Sequence, residues 1–466
     1  MSNLFDAVTT GDALTANGCA TNSTTSNLCL DLFFMIGASR GKNIIPEFQR
    51  AFYENGDLAT RILLHARDCR GGAGERQTFR NILKWLVTYD VELAQRVVAK
   101  VPELGRWDDV LVLLGTPAEK FVLGMISDAL AIGNGNCAKW MPRPTRNQAK
   151  LAKPIWKHLE MAPAEYRKLV SGLTTAVEKQ LCAKQFDQIN YDHLPAMAAA
   201  RYQKAFGKHD AKRYNEYIQA LENGEAKINA GVIYPHDVII AMRNGNARVA
   251  NEQWKALPNY MEGTSERILP VIDVSGSMNC QVGGNPSLTC MDVAIALGMY
   301  VAERNESAFK NEFITFDTTP KMVKIVGNTL QERYSFTKHA DWGGSTNFVR
   351  TFDLILAKAK MAKLSQDDMP TKVIVFSDME FNEADRSGST AFQNIQEKFE
   401  AAGYAMPQMV FWNLNARPGN NPVKADTSGT ALVSGLSPSI LTALFGGDLD
   451  PVSVMLNAVQ KDRYNY

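Results

Sequence analysis

The feature that most constrains this chain is a change of hydrophobic period near residue 265. Upstream, from Leu28 to about Met261, apolar residues recur at helical spacing, as in Asp31-Leu-Phe-Phe-Met-Ile36, Ile62-Leu-Leu64, Phe79-Arg-Asn-Ile-Leu83 and Val110-Leu-Val-Leu-Leu114. Breakers such as Gly71-Gly-Ala-Gly74, Gly133-Asn-Gly-Asn136 and Asn244-Gly-Asn246 separate these segments, and strand-like alternation is absent throughout. So long a run of short amphipathic helices stacks as a solenoid, and at about 40 to 47 residues per pair of the HEAT type it holds about five or six pairs. Downstream, Ile268-Leu-Pro-Val-Ile272, Phe313-Ile-Thr-Phe316, Val373-Ile-Val-Phe376 and Met409-Val-Phe-Trp412 are continuous apolar runs. Helical stretches at 291–302, 348–362 and 392–402 alternate with them, which predicts a mainly parallel sheet covered on both faces. The expected organisation is a flexible N-terminus over 1–25, an all-α HEAT-like solenoid over 26–265, and an open, Rossmann-type α/β domain over 266–466.

A chain of 466 residues is too long for one ordinary core, and 45% hydrophobic with 21% charged residues describes neither a disordered nor a fibrous protein. No apolar run reaches the roughly 18 residues of a membrane span, and the Thr-, Asn- and Ser-rich start lacks a signal peptide's pattern, so the expectation is an intracellular, cytoplasmic protein without membrane partners. Virus-encoded origin is compatible with all of this. The seven cysteines are scattered and never form Cys-x-x-Cys, which predicts neither disulfides nor a structural zinc site. The net charge of +1 hides an asymmetry: 32 basic and 27 acidic residues precede residue 266, against 18 and 22 after it.

Ligands of open parallel sheets bind beyond the carboxyl ends of the strands, so polar residues directly after apolar runs are the first candidates. Three loops supply them: Asp273-Val-Ser275-Gly-Ser277-Met278, Asp341-Trp-Gly-Gly-Ser345-Thr346-Asn347 and Ser377-Asp378-Met-Glu380. Asp and Ser also cap helices and close turns, which is the plainer explanation of any one of these loops. Alternate positions of Asp-x-Ser-x-Ser can aim three oxygens into one concavity, a donor set that suits a small hard cation such as Mg2+. Together the loops resemble the metal-ion-dependent adhesion site of von Willebrand A domains, whose order is Asp-x-Ser-x-Ser, then Thr, then Asp. Asp273, Ser275, Ser277, Thr346 and Asp378 match it, with Ser345 an alternative hydroxyl to Thr346 and with Asp341 and Glu380 expected behind the ligands or toward solvent. The resemblance implies a divalent ion, Mg2+ or alternatively Mn2+, with a coordination position open to a partner's carboxylate. It implies binding and no enzyme activity: no His or Lys stands in these loops as a general base, and Ser275 occupies the place where a phosphatase-like Asp-x-Asp would need its second Asp.

Between Lys139 and Arg213 there are 15 Lys and Arg against 6 Asp and Glu, interleaved with Trp140, Trp156, Tyr166, Phe186, Tyr191, Tyr202 and Phe206. Basic side chains neutralise phosphates and aromatic faces stack unpaired bases, so the mixture suits structured or single-stranded RNA. A solvated helix face with its aromatics in the core gives the same composition.

The phrases Ala66-Arg-Asp-Cys-Arg70-Gly-Gly-Ala-Gly-Glu-Arg76, Gly105-Arg-Trp-Asp-Asp109, Ala138-Lys-Trp-Met-Pro-Arg143, Tyr166-Arg-Lys168 and Asn229 to Asp237 resemble a family of plants, fungi and viruses that joins a helical region to a von Willebrand A-like tail. In domain order and metal loop the chain is also similar to the TROVE-domain Ro ribonucleoproteins. In those, HEAT-like repeats form a ring closed by the von Willebrand A domain, with RNA on the basic outer face and single strands entering the hole. The resemblance implies an RNA-binding ring or scaffold. Charge clustering nominates Lys139, Arg143, Arg146, Lys150, Arg167, Lys168 and Arg201 as RNA contacts. The glycines between Arg70 and Arg76 either offer amides to phosphates or only link two helices, and His236 after Pro235 reads as a helix-start residue. The alternative function is a metal-dependent protein-interaction module that captures a partner's carboxylate without RNA.

Overall fold

The computed structural model describes residues 12–283, 285–316, 319–340, 348–381, 391–445 and 449–466. Helices dominate from Leu28–Ile36 to Ala247–Lys255, and the sheet begins at Ile268. Polar caps start several of them: the side chains of Asn27, Asn55, Asp90 and Asn134 accept from the amides of Leu30, Leu58, Leu93 and Cys137.

The helical region is not one uniform stack. One hydrophobic core runs through the helices up to Pro163–Leu173 and on into the sheet. A second, smaller core gathers Tyr191, Leu194, Phe206, Tyr214 and Ile218 and meets the helix Ala247–Lys255 at Val249. Short 3-10 turns at Phe186–Gln188 and Tyr191–His193 interrupt the run between them, so the expectation of regular repeats does not hold there.

The sheet has six strands: β3 (Ile268–Asp273), β4 (Glu312–Phe316), β5 (Met322–Lys324), β6 (Lys372–Ser377), β7 (Gln408–Asn413) and β8 (Thr430–Ser434). Their order is β5-β4-β3-β6-β7-β8, all parallel except the antiparallel edge strand β5. Strand order reverses between β3 and β6, which leaves a crevice at their carboxyl ends. Helix Cys290–Arg304 lies so close over β3 that a Cβ at Gly298 would sit 2.4 Å from Ile272 Cδ1.

Both ends of the helical region dock on the domain that carries this sheet. At one end Ser434 Oγ donates to Phe33 O at 2.7 Å, Asn413 Nδ2 to Phe34 O at 3.1 Å, and the C-terminal Tyr464 hydroxyl to Asp68 at 2.9 Å. At the other, Trp254 Nε1 donates to Glu303 at 2.8 Å and Arg243 pairs with Asp292 at 2.9 Å.

The N-terminal segment departs from expectation. Residues 12–25 were expected as part of a flexible tail, yet β1 (Ala13–Leu14) and β2 (Ala20–Thr21) form a hairpin beside the β6 loop. There Thr15 Oγ1 donates to Phe381 O at 2.7 Å and Thr21 Oγ1 to Asn421 O at 3.0 Å. Its Thr and Asn side chains, which look like tail composition, are spent as hydrogen-bond partners of a neighbouring loop. All seven cysteines are free thiols.

Candidate functional site

Strand β3 delivers Asp273 fully buried at the crevice. Its carboxylate accepts from the Ser275 amide at 2.9 Å and from Ser377 Oγ, at the end of β6, at 2.5 Å. The turn Gly276–Asn279 then brings Ser275 Oγ within 3.1 Å of Ser277 Oγ, and Ser277 Oγ donates to Asp378 Oδ1 at 3.2 Å. Four of the five nominated ligands therefore converge. Thr346 lies outside the described residues, as do Asp341 and Ser345.

Burial pushes the Asp273 carboxyl up to about 6, reinforced by the Asp378 charge and opposed by the hydrogen bonds from Ser377 and Ser275. Burial also raises Asp378, against the pull of the Arg417 guanidinium. Two desolvated carboxylates beside two hydroxyls need positive charge or a proton. An all-oxygen set of this kind fits a hard divalent ion held by Asp273, Ser275, Ser277 and Asp378. Among the described residues no group of three or more His, Cys, Asp and Glu is placed to hold a metal, so the hydroxyls would be indispensable to such a site.

Arg417 was missed from sequence. Its guanidinium bridges Asp378 Oδ2 at 3.1 Å and Glu380 Oε1 at 3.0 Å while remaining 35% exposed. Glu380, expected behind the ligands or toward solvent, is buried, and accepts from the Ala16 amide at 2.6 Å and Asn420 Nδ2 at 3.0 Å. Arg417 follows the carboxyl end of β7, so the rule that nominated the other loops applies to it too.

The nominated RNA contacts stand in different settings. Lys139 and Arg143 line a cleft shared with Arg80 and Lys84. Arg146, Lys150, Arg167 and Lys168 are exposed elsewhere along the chain, and Arg201 lines a separate cleft with Lys204. Arg143 is committed locally, donating to Ala138 O at 2.9 Å, Met141 O at 3.0 Å and Thr174 Oγ1 at 3.1 Å. Of the interleaved aromatics, Tyr166, Tyr191 and Phe206 are buried in the two cores and unavailable for base stacking.

The Gly71–Gly74 turn links two helices. Two of its amides are taken up internally, Ala73 N by His65 O at 3.2 Å and Gly74 N by Asp68 O at 3.0 Å. A Cβ at Gly72 would fall 1.9 Å from His65 O, so glycine is there for close packing. His236 lies in the first turn of the helix Pro235–Arg243 and is buried.

Residues 15–90 and 136–266 match the family model of a domain of unknown function, DUF2828, and residues 267–462 match that of another, DUF7788. An uncharacterized protein, L728, of Acanthamoeba polyphaga mimivirus is 28% identical over 506 residues, spanning 96% of this chain and 87% of that protein. The crystal structure of the Deinococcus radiodurans RO (RSR) protein superposes with a TM-score of 0.52 over 90% of this chain and 99% of its own, at 14% identity. At that identity the likeness is one of fold, and it extends through both the helical region and the sheet domain: the chain has a Ro-like architecture.

Proposed function

We propose that this protein is an RNA-binding scaffold of the Ro ribonucleoprotein kind, in which the helical region closes into a ring through a von Willebrand A-like domain that holds a divalent ion. The observation that carries the proposal is the near full-length Ro-like fold, in which the first and last helices of the region both dock on one sheet domain. Two further facts support it: the excess of 15 basic over 6 acidic residues between Lys139 and Arg213, and the meeting of the first and third loops at Asp273 and Asp378. The ion, bound by Asp273, Ser275, Ser277 and Asp378 with Thr346 from the second loop, supplies a fixed positive charge and a coordination position open to a carboxylate. Its role is to bind or clasp, without catalysis. The test is fluorescence anisotropy with a structured RNA carrying a single-stranded tail: saturable binding, weaker by about tenfold when the tail is removed, is expected. Absence of binding to either RNA refutes the proposal.

One observation favours metal-dependent capture of a protein carboxylate as the second reading. Arg417 places a part-exposed guanidinium beside the ligand set, where an incoming acidic side chain would find two positive partners. Under that reading Asp273→Ala abolishes capture of the protein partner and leaves RNA affinity unchanged.

A further inference from the structure

The helix Gln77–Tyr89, the turn Trp107–Leu113 and the helices Gly135–Trp140 and Ala149–His158 enclose a cleft of about 770 Å3. That is within the size range of small-ligand pockets, roughly 300 to 1,000 Å3. Its charge is unbalanced. Asp108 is the one carboxylate among the described residues that line it, and it is already paired with Arg80 at 2.8 Å and with Arg106, whose Nε donates at 2.9 Å. Asp109 behind it is taken by Arg67 at 2.5 Å and by Arg80 at 2.7 Å. Three guanidiniums thus share two carboxylates. Burial, and then the nearby Arg106 and Arg80 charges, push the proton affinity of Arg76 down, with Asp108 and Asp109 opposing. Lys84 and Lys139, also on the lining, have no ion pair among the described residues. Lys84 is exposed and Lys139 part-buried, so the lining presents unpaired positive charge at the mouth of the cleft, a field that draws in an anionic ligand.

The walls narrow the anion's identity. Trp140 forms one side, its ring covered by the Arg106 guanidinium at 3.7 Å, and the exposed Leu151 forms another. A phosphate alone needs no such apolar surface. A flat heterocycle joined to a phosphate uses both.

We infer that this cleft seats one nucleotide of single-stranded RNA, with its phosphate held by Lys84 and Lys139 and its base lying against the Trp140–Leu151 wall. The assignment rests on the RNA-binding proposal above and adds the place and the chemistry. No residue of it belongs to the sheet domain, so it is independent of the metal loops.

The test uses the full-length protein and anisotropy of a labelled hexauridylate, with UMP and hexaglutamate as competitors and a structured RNA lacking single strands as a second probe. Lys84→Glu and Lys139→Glu each weaken hexauridylate binding by about tenfold and Lys84→Met by less, while the structured RNA changes by under about twofold. Lys310→Glu, on the exposed surface of the sheet domain, leaves both unchanged. Unfolding midpoints identify any variant whose loss is one of folding, and Lys84, exposed and without an ion pair among the described residues, is the position where folding is least at stake. Hexauridylate affinity indifferent to both reversals overturns the cleft while leaving the RNA-binding proposal standing. Binding of no RNA by the unmodified protein overturns both. Hexaglutamate competing as well as hexauridylate overturns the cleft assignment in favour of an acidic peptide, and UMP competing equally well overturns it in favour of a free nucleotide.

Discussion

Asp378 and Arg417 show how much of this molecule's chemistry turns on single side chains. A divalent cation held as proposed would compete with the guanidinium for the same carboxylate, since Arg417 already holds Asp378 Oδ2 at 3.1 Å. A charge-assisted pair of this kind is worth about 1 to 3 kcal/mol. Arg417→Met should therefore tighten Mn2+ binding by about tenfold in calorimetry, and Asp273→Ala should abolish it; unchanged affinity in Arg417→Met would mean that the arginine does not compete with the ion. His65 is a second such residue. It is fully enclosed between Phe33 and Tyr464, and burial pushes its imidazole down to about 4 from the ordinary 6.5. The fold prefers the neutral ring, so the stability it supports is complete above pH 6.5 and is lost as pH falls through about 4. At roughly 1.4 kcal/mol per pH unit the loss approaches about 3 kcal/mol. Urea midpoints measured from pH 7.5 to 4.5 should fall, and His65→Gln should flatten that part of the profile; an equally steep fall in the variant would place the acid sensitivity elsewhere.

Among the elements, the junction of helix Gly56–Arg67, helix Gln77–Tyr89 and the Trp107–Leu113 turn is held by Asp109. It is fully buried and accepts from Arg67, Arg80 and the Arg106 amide. Removing it strands the enclosed Arg67 guanidinium and leaves Arg80 with Asp108 alone, so Asp109→Ala should cost about 3 to 5 kcal/mol in a urea titration. A loss under about 1 kcal/mol would show that water replaces the carboxylate. What could be read from sequence follows a similar logic of burial. The four central strands are continuous apolar runs because both faces are covered, and helix Phe348–Ala362 lies where its periodicity placed it. Strand β8, Thr-Ala-Leu-Val-Ser, has too short an apolar centre to stand out, and β5 is an edge strand of three residues. Helix Leu330–Lys338, Leu-Gln-Glu-Arg-Tyr-Ser-Phe-Thr-Lys, has almost no apolar face, so its helical period was invisible. The convergence of the Asp273 and Asp378 loops could be anticipated because each follows directly on an apolar strand. The Arg417 clamp could not, because it joins loops 39 residues apart through a contact only the folded sheet creates.

At the scale of the whole molecule, composition misleads in one respect and informs in another. A net charge of +1 hides a helical region whose basic side chains gather into clefts beside a mildly acidic sheet domain. The hairpin of residues 13–21 and the C-terminal Arg463 and Tyr464 tie the ends of the chain to opposite partners, the β6 loop and the Asp68 turn. Both termini of the described chain, as well as the two flanks of the helical region, therefore join the helical region and the sheet domain. RNA binding, the function proposed for this architecture, requires that the basic side chains of those clefts displace counterions from the RNA phosphates, which makes affinity a steep function of salt. The decisive measurement is the affinity of the full-length protein for structured RNA with a single-stranded tail between about 50 and 200 mM salt. A log–log slope of about −3 or steeper is predicted, equivalent to several phosphates neutralised. A slope near zero, or no saturable binding at the lowest salt, would contradict it.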